Sequence, residues 1–206
     1  MFGRFRADSA PVNSDVTGEA PWLVIGLGNP GAQYAGNRHN IGFFAVDVLA
    51  RRTGAGFKAH KARADVVESR IAGNRCVLAK PRVYMNQSGG PAAGLAKFFK
   101  TPLERIIVIH DELDLEPGTM RIKLGGGDNG HNGLKSLRAS LGSGEFYRVR
   151  LGIGRPPGRQ DPADFVLRDF PAAVREDVGV QVERAADAVE LLVAQGLVAA
   201  QNSFNE

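Results

Sequence analysis

The amino-acid sequence predicts an α/β fold: a single compact domain whose mixed, mostly parallel, twisted sheet is flanked by helices on both faces. Three observations carry that prediction. Short apolar runs, Trp22 to Ile25 and Ile106 to Ile109, have the length and content of buried strands. Segments with apolar residues at helical spacing stand between the strands, as at Phe44, Val48 and Leu49. Two alternating runs, Asp65 to Ile71 and Arg75 to Lys80, flank Gly73-Asn74, a hairpin dipeptide in reverse order, and so add an antiparallel pair.

Residues 1–20 are small and polar and read as a disordered extension, so the folded domain is expected over 21–206. The first strand, Trp22 to Ile25, is closed by Gly26 and Gly28. A helix from Ile41 to Arg52 stops before Gly54. Beyond the hairpin, Gly89 to Phe99 carries the apolar stripe Leu95, Phe98 and Phe99, although Gly89, Gly90 and Gly94 oppose a helix. Strands are expected at Ile106 to Ile109, Thr119 to Leu124 and Tyr147 to Ile153, a loop at Gly125 to Gly130, and a helix from Leu134 to Leu141. Pro156-Pro157-Gly158 marks a loop before a short segment at Asp164 to Arg168. Pro171 to Ala200 carries one long amphipathic pattern through Val174, Val178, Val182, Ala185, Val189 and Leu192. No internal repeat is visible.

Of 206 residues, 43% are hydrophobic, enough for one substantial core. Lys and Arg number 26 against 22 Asp and Glu, a formal charge of +4 that favours an anionic partner without demanding one. Cys76 stands alone, so neither a disulfide nor a cysteine zinc site is available, and a reducing, cytoplasmic setting is expected. No apolar run approaches the roughly 20 residues of a membrane helix, and acids at Asp8, Asp15 and Glu19 with no apolar core argue against a secretory signal.

Three polar or glycine-rich segments begin where apolar strands stop: Gly26 to Asn40, Lys80 to Ser88 and His110 to Asp114. Ligand sites of open α/β sheets lie beyond the carboxyl ends of their strands, so the site is expected where these segments converge. Three chemistries compete for it. Gly26, Gly28 and Gly31, and again Gly125, Gly127 and Gly130, fit a dinucleotide-binding spacing. Pro30 and the polar stretch Gln33 to Asn40 separate the first match from its helix, and no acid ends a second strand, so tight turns are the better reading. A metal site from His110, Asp111, Glu112, Asp114 and His131 lacks any shared-ion spacing, His110 and Asp111 point to opposite faces of their strand, and a solvated acidic turn is preferred for Glu112, Asp114 and Glu116. No metal is expected.

The third chemistry is hydrolysis by a histidine and a carboxylate. His39 lies in Asn37-Arg38-His39-Asn40, just before an apolar helix, where its imidazole is expected to face a ligand, and Asp111 ends a strand on the same side. A carboxylate on one ring nitrogen fixes the tautomer and stabilises the imidazolium formed when the other nitrogen takes a proton from water. Spacing alone leaves both readings open: His39 as a base or as a polar residue at a helix start, Asp111 as its partner or as a loop cap.

Gly26-Leu27-Gly28-Asn29-Pro30-Gly31, Arg38-His39-Asn40, Tyr84-Met85-Asn86-Gln87-Ser88-Gly89, His110-Asp111-Glu112-Leu113-Asp114 and Gly130-His131-Asn132-Gly133, in this order, resemble the bacterial-type peptidyl-tRNA hydrolase family. The resemblance covers Trp22 to about Gln201. It implies a monomeric enzyme with no cofactor that hydrolyses N-blocked aminoacyl-tRNA and recycles tRNA from aborted translation. It implies that His39 is the catalytic base and Asp111 the acid that readies it. By the same resemblance Asn29 distinguishes blocked from free amino groups, Asn86 and Asn132 bind substrate, Tyr34 and Tyr84 line the tRNA-end site, and Met85 is an apolar wall.

The side-chain chemistry agrees. Asparagine amides grip a peptide and a ribose ester without adding charge, and Asn29 or Asn86 is the candidate donor to the oxyanion. Arg121, Lys123, Lys135, Arg138, Arg148 and Arg150 are the candidate phosphate-binding surface, positioning tRNA without reading its sequence. Asn37 stands where that family mostly carries threonine, and either side chain is expected to cap the helix that follows. The alternative is a non-catalytic RNA-binding relative of the same fold, against which the retained His39 and Asp111 speak.

Overall fold

A computed structural model describes residues 19–205. Its elements are β1 (Trp22–Gly26), α1 (Ile41–Thr53), β2 (Lys58–His60), β3 (Ala64–Ile71), β4 (Asn74–Pro81), α2 (Gly89–Phe99), β5 (Ile106–Glu112), β6 (Met120–Leu124), α3 (Asn132–Leu141), β7 (Tyr147–Gly152), α4 (Pro162–Val166), α5 (Arg175–Gln195) and α6 (Leu197–Phe204). The expected extension falls outside the described residues except for Glu19 and Ala20. Both are held by Arg105, which pairs with the Glu19 carboxylate at 2.8 Å and donates to the Ala20 carbonyl at 2.6 Å.

The strands form one seven-stranded sheet in the order β2-β3-β4-β1-β5-β7-β6. Its centre, β4-β1-β5-β7, is parallel, while β2-β3-β4 on one side and β6-β7 on the other pair antiparallel. The mixed sheet read from the sequence is therefore found with its parallel strands in the middle. Alternation along the central strands splits the core in two, as period-two side chains require. Val24, Ile107 and Ile109 face α1, α5 and α6; Leu23, Ile25, Ile106 and Val108 face α2 and α3.

Several boundaries differ from expectation for physical reasons. β5 does not stop at Ile109 but continues to Glu112, because His110, Asp111 and Glu112 pair with Arg150, Leu151 and Gly152 of β7. The hairpin turn is Ala72-Gly73, both at positive φ (49° and 81°), closed by the pair Ile71 and Asn74. This is the primed-turn geometry that suits twisted strands, and Asn74 belongs to β4. β2 was not foreseen, being three residues of mixed polarity on an edge. The long C-terminal pattern begins as a 3-10 turn at Ala172–Val174 and is interrupted at Gly196, giving two helices.

One close approach positions the site. A Cβ on Gly42, near the start of α1, would lie 2.3 Å from the Ile109 carbonyl oxygen, and one on Gly26 would lie 2.3 Å from the Gly42 carbonyl. The start of α1 thus rests directly on the ends of β1 and β5, at a distance only glycine permits. The residues just before α1 are delivered to the end of β5.

Candidate active site

His39 sits in a 3-10 turn, Arg38–Asn40, directly ahead of α1, and Asp111 is the penultimate residue of β5. Their side chains meet. Nδ1 of His39 lies 2.9 Å from Oδ1 and 3.0 Å from Oδ2 of Asp111, and a carboxylate so placed accepts the Nδ1 proton. The lone pair is then on Nε2, and His39 lines a cleft of about 390 Å³ together with Asp111, His131, Asn132, Arg155 and residues of α4. The imidazole is less open than expected, with His39 only 8% exposed.

His131 completes the cluster, a role that sequence reasoning missed. It is the N-cap of α3: its Nδ1 accepts from the backbone N–H of Gly133 at 3.1 Å and of Leu134 at 3.4 Å. The proton is therefore on Nε2, which donates to Oδ1 of Asp111 at 3.0 Å. The signal available was a histidine in the short polar stretch just ahead of the helical pattern at Leu134 to Leu141. Behind it, His110 packs edge-on to His131 at 5.0 Å and donates from Nδ1 to the Asp111 carbonyl at 2.7 Å.

Burial alone would lower the pKa of His39, but the charge of Asp111 and the hydrogen bond to it outweigh that and raise it above the ordinary histidine value. Burial would raise Asp111, yet the two histidines beside it hold its carboxyl well below the usual range. His110, shut away from water and near His131, is pushed well below the ordinary value and is neutral. Ring nitrogens of His39 and His131 and a carboxylate oxygen of Asp111 lie within 4.8 Å of one another, close enough to suggest a metal. The tautomer that caps α3 argues otherwise, because it leaves His131 no lone pair on Nε2 for an ion. The cluster is a hydrogen-bond network about one carboxylate.

Asn29 is 6% exposed and fixed from both sides. Asn40 accepts from its backbone N–H at 2.8 Å and donates to its carbonyl at 2.9 Å. Its own Oδ1 accepts from the Met85 N–H at 2.7 Å, so the amide cannot flip and presents Nδ2 as a donor. Met85 is buried beneath it. Asn86 and Asn132 are exposed, the first in the 3-10 turn Met85–Gln87 and the second as the first residue of α3. Tyr34 and Tyr84 meet edge to face at 6.3 Å, with Tyr84 largely exposed. Of the expected substrate residues, Asn132 lines the cleft together with His39, while Asn29 lines a second pocket with Pro30 and Gly31, and Asn40, next to His39 in the chain, is an unforeseen clamp on Asn29.

The expected cap at Asn37 is absent. Its Nδ2 donates instead to Asp169 Oδ1 at 2.7 Å. Arg38 donates to the carbonyls of Arg168 and Asp169, the Phe170 N–H reaches the Gly36 carbonyl at 3.0 Å, and the segment after α4 is zipped to the residues preceding His39.

Two charged side chains, one basic and one acidic, lie inside rather than on the surface. Arg148, expected among the phosphate ligands, is 1% exposed, and its guanidinium donates to the carbonyls of Gly126, Gly127 and Gly144, fastening the glycine-rich loop. Glu112, expected in a solvated turn, is buried, and its carboxylate binds Arg150 at 2.9 Å and Asn129 at 2.8 Å. Arg138 pairs with Asp128 at 2.8 Å, Lys135 is exposed, and Arg121 and Lys123 are half-buried beside the two arginines of β7. Burial and the nearby Arg150 and Arg148 draw Lys123 below the usual lysine pKa. Arg148→Met, which keeps the bulk and removes the donors, is expected to cost about 2–3 kcal/mol in unfolding free energy. A urea midpoint matching the parent would show that the loop holds itself.

The sequence pattern of the family described as "Peptidyl-tRNA hydrolase" matches residues 23–206. The chain is 59% identical over 189 residues to the peptidyl-tRNA hydrolase of Frankia casuarinae, covering 92% of this chain and 96% of that protein. It is 58% identical over 199 residues to that of Streptomyces coelicolor, covering 93% and 99%. The crystal structure of peptidyl-tRNA hydrolase from Acinetobacter baumannii superposes with a TM-score of 0.83 at 36% identity, over 89% of this chain and 93% of that one.

Proposed function

The chain belongs to the peptidyl-tRNA hydrolase family and hydrolyses the ester bond of peptidyl-tRNA, and we propose that His39 is the base that activates the attacking water. The observation that carries the assignment is the pairing of His39 Nδ1 with both oxygens of a buried Asp111, which leaves Nε2 as the acceptor on a ring that lines a cleft. Water gives its proton to Nε2 as its oxygen adds to the ester carbonyl. The imidazolium so formed is paired with Asp111, and it then returns the proton to the departing ribose oxygen. An activated ester asks little more, since such base catalysis supplies about 10² to 10⁴ in rate.

Substrate choice follows from Asn29. With Oδ1 taken by Met85, its Nδ2 offers only protons, which a blocked amino group's carbonyl accepts and a free ammonium, itself only a donor, does not. Asn86 and Asn132 add amides at the mouth of the site, Tyr34 and Tyr84 the faces for the tRNA end, and Met85 an apolar floor. Arg121, Lys123, Lys135, Arg138 and Arg150 remain the proposed phosphate surface, with Arg148 withdrawn from it. The proposed catalytic unit is 21–206, working as a monomer in the cytoplasm without a cofactor; Cys76 is a buried thiol, and no described helix is long and apolar enough to cross a membrane.

Purified protein is expected to release the blocked amino acid from N-acetylaminoacyl-tRNA and to leave the same tRNA carrying a free amino group nearly intact. Absence of turnover on the blocked substrate would favour the non-catalytic RNA-binding reading.

A further inference from the structure

We propose that the turn between β2 and β3, together with the C-terminal end of α2, forms a second RNA-binding patch that contacts the bound tRNA away from its 3′ end. The proposal takes the identity of the polyanion from the hydrolase reading and everything else from geometry. Residues 58–63 and 97–100 carry Lys58, Lys61, Arg63, Lys97 and Lys100 with no Asp or Glu among them. All five are exposed, and none of their side chains pairs with a carboxylate among the described residues. Outside the patch, Lys80 pairs with Asp47 and Arg82 with Asp65.

The patch also holds rings. Phe98 is 50% exposed, a large apolar side chain left in water. It stands edge-on to His60 at 4.7 Å and to Phe99 at 4.9 Å, and the Lys61 ammonium lies 4.9 Å from its ring centre. The turn that presents these groups is built firmly. His60 Nδ1 accepts from the Ala62 N–H at 3.1 Å, Arg63 takes a left-handed conformation at φ 56°, and Ala62 packs against Gly94 of α2. The two segments are therefore one surface.

The composition identifies the occupant. Protein interfaces are depleted in lysine at their centres, whereas lysines around exposed rings are how single-stranded or looped nucleic acid is held, phosphates on the ammonium groups and a base on the ring. Location sets which part of the RNA is met. β2 lies three strands from β1, about 14 Å across the sheet, so the patch is separate from the cleft at His39. It lies on the face of the sheet covered by α2 and α3, the face that also bears Lys135 and Arg138, so one RNA can lie across both.

The test uses the full chain and deacylated tRNA. Phe98→Ala, at a position half in solvent, is expected to weaken binding about fivefold or more, the loss of one stacked base. Replacing Lys61, Lys97 and Lys100 together with alanine is expected to reduce the slope of log affinity against log salt by about two to three. Turnover of a substrate trimmed to the 3′-terminal nucleotides is expected to stay at the parent rate in both variants. Unchanged affinity and slope overturn the patch. An equal loss on the trimmed substrate overturns it as well, because the effect would then lie in the cleft. If tRNA binding is kept while binding to phosphatidylserine vesicles is lost, the surface belongs to a membrane and the RNA assignment is wrong. Because binding is read without turnover, failure of the patch and failure of the hydrolase reading appear in different measurements.

Discussion

His39→Ala is expected to lower turnover of N-acetylaminoacyl-tRNA by about 10²- to 10⁴-fold while leaving the affinity for deacylated tRNA within about twofold. The substitution removes the acceptor nitrogen and little else. Asp111 keeps the bond from His131, so its charge is not left bare in the interior, and Asn29 keeps its own clamp from Asn40. Thermal unfolding of the variant near the parent temperature would confirm that the loss is chemical. A variant turning over at the parent rate would mean that another group activates the water, and the assignment of the base would be wrong.

Asp111→Asn is the second large effect, and the network dictates its sign. The cap on α3 fixes the His131 proton on Nε2, which claims the asparagine's remaining oxygen at the position of Oδ1. The new NH₂ then stands where Oδ2 met His39, and it donates to Nδ1. His39 is forced into the opposite tautomer, with Nε2 protonated and unable to accept. A fall of about 10²- to 10⁴-fold is expected, the logic being that of the handicapped serine-protease triad. The pH dependence separates this from unfolding. In the parent, Asp111 raises the pKa of His39, so kcat/KM should decline on the acid side from above the ordinary histidine range. Without that charge only burial remains, which lowers the pKa, so the acid limb of the variant's residual activity should move to lower pH. An acid limb at the parent position would show that the carboxylate does not tune the base.

Much of the fold was legible because its elements are local. Ile106 to Ile109 announces a buried strand by content alone, and the segments following β1, β4 and β5 mark the end of the sheet where side chains gather. His39 and Asp111 were legible as types in suitable places, and their contact was not, since 72 residues separate them. What stayed hidden depends on partners still further off. Asn37 looks like a cap because nothing nearby competes, yet its amide finds Asp169, 132 residues on. Arg148 and Arg150 occupy equivalent positions two apart on β7 and are indistinguishable in sequence. One is sunk among loop carbonyls and the other pairs with a carboxylate, because the glycine-rich loop folds over only the first. β2 escaped notice because an edge strand of three residues need not be apolar.

The double duty of His131 bears on how the molecule assembles. One imidazole both starts a helix and supplies a proton to the central carboxylate, and its two contacts require the same tautomer. A chain in which β5 has not yet docked offers that Nε2 proton no acceptor, and a chain in which α3 has not formed offers Nδ1 no N–H donors. Each half of the structure therefore rewards the other, and partly folded forms carrying an active but disordered site should be sparsely populated. Hydrogen exchange in the first turn of α3 should accordingly slow in step with β5, so that the enzyme acquires its chemistry and its shape in a single cooperative event.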